Sequence, residues 1–320
     1  MQANIVTSDE ELEALAPEWL QLWRNTSDST PFQSPMWLLP WWKYFGSDQL
    51  HVIAFRNHGG LEALAPLYIL RDPDSSESLG LLLGTGISDY LDVLAPAEHG
   101  DRIVGALTKA DCAIWDFQQL RPTSPLLSTT VPDGWSENVE DHDRCPVLSL
   151  EAAAPSTHFR KKLRYYRRSL ERGGELTFEK ANAENLDRLL ASLFELHAAR
   201  WQRRGMSGML ADDVVQQFHR DVARAMLAAG ALRMYGMSVG GRTVAVFYGF
   251  AHGQTVYFYL SGYDPELEKL SPGTVIVDHA IEQAVSDGGT TFDFLRGAED
   301  YKYAWGAADR LNRRRQLIRE

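Results

Sequence analysis

The sequence predicts an α/β (α+β) protein made of two halves with mixed central sheets, residues 1–150 forming the first half and residues 151–320 the second. Three observations predict it. The chain has 320 residues, a length that suits two domains or two halves of one body at roughly 100–200 residues each. Short runs rich in β-branched and aromatic residues alternate with stretches of helical period. The second half reads strand, two helices, three strands, helix, strand, helix, and the first half shows much the same order with its two helices placed first. The parallel is one of element order and not of residue identity.

Each element has a local reason. Residues 8–24 form a helix that Ser8 caps, with acids in the first turn where the helix dipole favours them. The segment Phe32 to Phe45 carries Trp37, Trp41 and Tyr44 at helical spacing and reads as core. The runs HVIAFR and LEALAPLYIL, parted by Asn57-His58-Gly59-Gly60, read as a hairpin. The stretch SLGLLLGTGISDYLDVLAP reads as a strand, a glycine-rich turn and a further short strand. Residues 101–111 read as a helix and AIWDFQQL as a strand. Residues 121–145, rich in Pro, Ser, Thr and Asp, read as loops and a linker, and CPVLSL closes the first half.

The second half opens with a basic helix over residues 156–172, capped by Ser156 and Thr157. GELTFEKA is a strand. Residues 183–204 form a long helix with Leu190, Leu193, Phe194, His197 and Trp201 on one face. Residues 212–229 form another, ended by Gly230. The strands ALRMYGMSV, RTVAVFYGFAHG and QTVYFYLSGY follow, the first two joined by Gly240-Gly241. A capped helix starts at Ser271, TTFDFLRG is a strand, and EDYKYAWG begins a last short helix.

Hydrophobic residues make up 44% of the chain and charged residues 23%, enough apolar material for a core without staples. The two cysteines, Cys112 and Cys145, build neither a metal spacing nor a disulfide framework, so no metal is expected. The first residues show no basic and apolar leader, and no window approaches the ~18 apolar residues of a membrane span. A cytoplasmic location without a membrane span is therefore expected. The net charge of −11 argues against DNA as a partner. An anion can still be held where cations concentrate.

Four stretches carry a family resemblance. The first is Arg160 through Leu170. The second is Leu196-His197 with Arg200-Trp201 and Gly205. The third is Tyr257 through Tyr263 running on to Ser271-Pro272-Gly273. The fourth is Phe292-Asp293-Phe294 with Gly297, Glu299, Tyr301-Lys302 and Trp305. Ser88-Asp89-Tyr90 with Asp92 is a weaker match in the first half. As an ordered set they resemble GNAT acyltransferases, and more narrowly the CelD/BcsL-type acetyltransferases, which are similar to the FemABX group in having tandem GNAT folds. The resemblance implies acyl transfer from acetyl-CoA or another acyl-CoA to an amine or hydroxyl of a sugar or polysaccharide precursor. One departure stands out. Ser271-Pro272-Gly273-Thr274 occupies the place of the usual pyrophosphate loop, an Arg or Gln followed by x-x-Gly-x-Gly/Ala.

The residues themselves keep alternatives open. Ser271, Gly273 and Thr274 start a helix directly after a strand, which makes either an anion site or a plain capped helix. Asp293, a carboxylate mid-strand among hydrophobes, needs a partner and is either a structural pair or a catalytic base. Glu299 and Lys302 stand three apart and either pair with each other or leave Lys302 to contact a phosphate or the acyl oxygen. His197 is either a satisfied core histidine or a base of near-neutral pKa. The basic helix holds seven cations, Arg160, Lys161, Lys162, Arg164, Arg167, Arg168 and Arg172, against Glu171 alone, and Arg164 and Arg168 are candidate substrate contacts. Tyr257, Tyr259 and Tyr263 alternate along one strand and either line a groove or pack. Tyr259 is counted with the cofactor-binding set, and Tyr257, Trp201, Asp89 and Tyr90 with the substrate-binding set. Two further readings compete with an acyl-CoA enzyme: a non-catalytic GNAT-like scaffold in an exopolysaccharide system, and a FemABX-like transferase fed by aminoacyl-tRNA.

Overall fold

The structure is a computed structural model and describes residues 3–57, 60–71, 78–151, 155–203 and 205–320. It falls into two compact units, one of residues 1–144 with 310–320, the other of residues 145–309.

In the first unit, the helix expected over residues 8–24 is two helices, α1 (Asp9–Ala14) and α2 (Ala16–Asn25), separated at Leu15. Pro17 has no N–H to continue the ladder, so the chain restarts with proline in a first turn. Ser8 caps α1 as expected, accepting from the Glu11 amide. The aromatic segment is α3 (Pro35–Phe45), with Trp37 and Trp41 in the core. Strands β1 (Ala3–Val6), β3 (Val52–Asn57) and β4 (Gly60–Ala65) form a small antiparallel sheet, β3 and β4 being the expected hairpin. Its turn residues His58 and Gly59 lie outside the described residues. Pro66 splits the apolar run after it. The next strand, β5 (Leu67–Arg71), joins a larger sheet with β2 (Gln49–Leu50), β6 (Ser78–Leu82) and β7 (Ile114–Leu120). The further strand expected around residues 88–95 is only an isolated bridge from Leu94 to Leu64. The helix expected over 101–111 is the shorter α4 (Gly100–Leu107).

The largest departure lies in residues 121–145. They are not all loop, because β8 (Trp135–Ser149) runs through their second part. The C-terminal strand Ala308–Arg319, which no sequence pattern announces, is its partner in ion pairing. Arg313 pairs with Asp141, Arg314 with Glu140 at 2.9 Å, and Arg315 with Glu137 at 2.9 Å. Arg314 also reaches across to buried Asp116 on β7 with two bonds of 2.8 and 2.9 Å. Cross-strand charge pairs here do the joining that apolar alternation does elsewhere. Such a strand carries no hydrophobic period to read.

The second unit has a six-stranded sheet in the order β8, β13 (Thr291–Asp293), β12 (Thr255–Tyr263), β11 (Arg242–His252), β10 (Leu232–Val239), β9 (Leu176–Lys180). Only the last residues of β8, Val147–Ser149, take part. The pairings are antiparallel except β12 with β13, which are adjacent and parallel, the arrangement that the resemblance to tandem GNAT folds implies. Gly240 and Gly241 both take positive φ, 56° and 82°, which a two-residue hairpin turn requires. Helices α6 (Leu186–Gln202) and α7 (Asp213–Ala228) cover one face, and α8 (Pro272–Ser286) the other. The basic helix α5 (Thr157–Glu171) lies on α8, and the short α9 (Asp300–Tyr303) follows β13.

Arg315 is 1% exposed, and besides Glu137 it donates to the carbonyls of Leu126 and Thr129. Arg315→Met should leave those carbonyls and part of a carboxylate without a donor, costing on the order of 2–4 kcal/mol. A denaturant titration checks this, with an unchanged midpoint as the opposing result.

Candidate active site

The sheet of the second unit opens at one place. Strand β13 pairs with β12 at Thr255–Thr291, Val256–Phe292 and Tyr257–Asp293, and the pairing stops there. The chain then stays with β8 instead, the Phe294 amide donating to the Pro146 carbonyl at 2.9 Å. From Phe258 onward β12 has no strand pairing with β13. An extended, amide-bearing chain can add to a strand edge as a further strand.

The divergence has local causes. Asp293 is fully buried, and its Oδ1 accepts the Leu295 amide at 2.9 Å. Leu295 takes φ 58°, a left-handed conformation that costs about 1–2 kcal/mol outside glycine. It is held by a buried lysine. Lys302 is 3% exposed, and its Nζ donates to the carbonyls of Leu295 at 3.4 Å, Arg296 at 2.6 Å and Gly297 at 3.0 Å, with Glu299 at 2.9 Å. Of the two readings of Glu299 and Lys302, the structure therefore has the pair. The ammonium has three protons and four oxygens around it, so its capacity is fully used by its own loop.

On β12 itself the sequence reading needs correction. Gly249 faces Phe258 and Tyr248 faces Leu260, so Tyr259 is an extra, bulged residue. A bulge reverses the alternation beyond it. Tyr257, Tyr259 and Tyr263 therefore do not share one side. Tyr259 packs with Tyr248, Phe250 and His219 beneath α6 and α7. Tyr263 joins the opposite core, under α8. Tyr257 is buried at the last pair of β12 with β13.

The start of α8 is built around Ser271, whose φ of 50° joins a preceding 3₁₀ turn, Pro265–Leu270, to the helix. Pro272 has no N–H, and the amides of Thr274 and Val275 both bond the Ser271 carbonyl at 3.0 and 3.2 Å. Gly273 is left as the one first-turn amide outside the helix's own bonding. Its missing side chain makes room for a ring, since a Cβ there would lie 3.0 Å from Cδ1 of Tyr263. Arg200 of α6 stacks on the other part of this corner, 4.9 Å from the Tyr263 centroid. The Tyr166 phenol of α5 reaches Ser271. Burial raises that phenol's pKa, but the Ser271 hydrogen bond and the Lys162 ammonium outweigh it and hold it below its ordinary value.

His197 is 4% exposed and sits between Gly208, Trp201 and the sheet. Its Nε2 accepts from Trp201 Nε1–H at 2.9 Å, which places the proton on Nδ1. Burial, with the Arg200 charge adding to it, pulls the imidazole pKa down to about 4. A histidine whose free nitrogen is a donor is placed to give a hydrogen bond and not to take a proton. His219 of α7, which the sequence reading passed over, is fully buried beside Tyr248 and Tyr259, with its pKa pulled to about 3 by burial and then by His197. Its signal was faint: one more residue on an apolar face already rich in Phe218, Val222 and Met226.

The structure thus has Asp293, Glu299 and Lys302 together at the loop after β13, Ser271, Gly273 and Thr274 at the start of α8 with Tyr263 and Arg200, His197 with Trp201 on α6, and Tyr259 packed beneath α6 and α7. Arg164 and Arg168 stand exposed on α5. Asp89 and Tyr90 lie in the first unit, buried, Tyr90 against Phe32 and beneath Arg121. Among the described residues no group of His, Cys, Asp and Glu could hold a metal ion, and no helix is long and apolar enough to cross a membrane.

Residues 157–303 match the family model described as the acetyltransferase (GNAT) domain. The chain is similar over 98% of its length to the crystal structure of FemX, covering 97% of that chain with a TM-score of 0.68 at 12% identity. It is similar over 98% to a conserved protein of unknown function from Bacteroides thetaiotaomicron VPI-5482, covering 100% of that chain with a TM-score of 0.63 at 12% identity. It is also similar over 98% to L-PGS from Bacillus licheniformis, covering 92% of that chain with a TM-score of 0.57 at 14% identity. No curated protein matches the sequence. At these identities the likenesses show the fold: a mixed α/β, GNAT-like acyltransferase fold.

Lys302→Met should loosen the loop after β13 by leaving the carbonyls of Leu295, Arg296 and Gly297 without their donor, and cost on the order of 2–4 kcal/mol. Glu299 is 59% exposed on its side chain, so Glu299→Gln should cost under about 1 kcal/mol. Thermal melts of the two variants check the contrast; equal melting would mean that Lys302 is not what holds the loop.

Proposed function

We propose that the second unit is an acyltransferase, taking the acyl group of an acyl-CoA in the gap between β12 and β13 and passing it to an amine or hydroxyl. The observation that supports this most is the parting of the two parallel strands after Tyr257 and Asp293. It leaves β12 without a β13 neighbour where the amide-bearing arm of the donor would lie, with a helix start whose positive end favours an anion. Positioning of donor and acceptor on this edge supplies most of the rate in the proposal, since holding two reactants together is worth several kcal/mol. Asp293 acts at the apex, either on the acceptor directly or by keeping Leu295 in place. Trp201, Arg200 and the His197 Nδ1–H donor form the far wall. For the acceptor we propose the amine or hydroxyl of a sugar or glycan precursor, on the strength of the motif resemblance to CelD/BcsL-type acetyltransferases.

A second reading has a specific observation in its favour. With Gly273 as the one first-turn amide left over, the start of α8 is a poor cradle for a pyrophosphate. A donor without one, such as an aminoacyl-tRNA, suits that corner better, and the similarity to FemX points the same way.

Calorimetry with acetyl-CoA tests the first reading. Binding to the native protein, lost in Gly273→Asp whose carboxylate would repel the pyrophosphate, is the expected result. Asp293→Asn keeps the Oδ1 acceptor for Leu295 and should lower kcat at least about tenfold with little change in KM. No acetyl-CoA binding, with transfer from aminoacyl-tRNA, would replace the first reading by the second.

A further inference from the structure

The basic helix α5 is anchored on one side and bare on the other. Leu163, Ser169 and Leu170 are buried against the body, Phe159 meets Trp305 edge-on at 4.9 Å, and Arg167 turns inward to Glu282 at 3.5 Å. Arg160, Lys161, Lys162, Arg164 and Arg168 are all exposed, and among the described residues none of them has an acidic partner. Three of them, Arg160, Arg164 and Arg168, form an i, i+4, i+8 row.

This arrangement works against the helix that carries it. Like charges four apart repel. The first turn has no acid and ends on Arg160, with Lys161 and Lys162 directly after it, near the end where the helix dipole disfavours positive charge. An external anionic surface removes both penalties at once. Tyr165 stands among these cations with 59% of its surface exposed, an aromatic of the kind that settles at a membrane–water boundary.

We propose that the outer face of α5 docks this protein on an anionic lipid surface, the helix lying flat with Tyr165 in the headgroup layer. Five exposed cations on one amphipathic helix fall within the four to eight that mark binding to acidic lipids. The shape favours a plane over a strand of nucleic acid. The cations follow the ridge of a straight helix about 22 Å long, and not a groove that could track a phosphate backbone. The remainder of the chain is acidic, its net charge being −11 even with these cations counted. A flat surface touches only the ridge, and screening over about 10 Å at 0.1 M salt hides much of the rest. The proposal does not depend on the reaction assigned to the second unit.

Co-sedimentation of the full chain with vesicles tests it. The protein should bind phosphatidylcholine vesicles containing one part in three of phosphatidylglycerol at 0.1 M salt. Pure phosphatidylcholine should bind at least about tenfold more weakly, and 0.5 M salt should release the protein. Changing Arg160, Lys161, Arg164 and Arg168 together to Gln should abolish binding with an unchanged melt, and Tyr165→Ala should weaken it. Arg188→Gln with Arg224→Gln, two exposed arginines that already have acidic partners, should leave binding as it was. Equal binding by the α5 variant, or no binding to the acidic vesicles, would overturn the proposal. So would α5-dependent binding of a single-stranded RNA oligonucleotide in the absence of vesicle binding, which would assign the face to nucleic acid.

Discussion

A buried ammonium has to find oxygens, and in the second unit that demand shapes the site. Lys302 satisfies its three protons with the carbonyls of Leu295, Arg296 and Gly297 and with Glu299. Those carbonyls can converge only if the chain curls after Asp293, and the left-handed Leu295 and the Asp293 carboxylate make the curl. A chain that curls there cannot go on pairing with β12. The parting of β12 and β13 is thus a consequence of where a charge was buried.

The bulge at Tyr259 is the second constraint. By adding one residue to β12, it turns the strand's last side chains to the face opposite the one that simple alternation gives. Tyr259 stays with Tyr248 and His219 under α6 and α7, while Tyr263 moves under α8 and fills the space beside Gly273. The same strand therefore packs one tyrosine under α6 and α7 and sets another beside the start of α8. Without the bulge, the ring that occupies the Gly273 corner would be on the other face of the sheet.

Much of this was legible in the sequence where periodicity decides structure. The long helices of the second unit, the Gly240-Gly241 hairpin and the cap at Ser156 follow from local rules, the adjacency of β12 and β13 follows from the family resemblance, and the structure has each of them. What was not legible depends on partners distant in the chain. Strand β8 and the C-terminal strand are joined by Glu137, Glu140 and Asp141 against three successive arginines, so each alone looks like a polar tail or linker. The bulge leaves the alternating tyrosines in view while reversing their faces. His197 was read as core or base. Its geometry adds a third role, a donor, which no spacing announces because the Trp201 bond sets the tautomer. The Lys302–Glu299 pairing was visible as a spacing of three, but the three carbonyls were not.

The central claim is that the edge of β12 beyond Tyr257 receives the acyl donor. Amide hydrogen exchange of residues 258–263 and 294–297, measured with and without saturating acetyl-CoA, tests it most directly. Marked slowing in these two segments, with little change on β9 and β10, is the predicted result. Unaltered exchange there while the ligand is demonstrably bound would place the donor elsewhere and contradict the account.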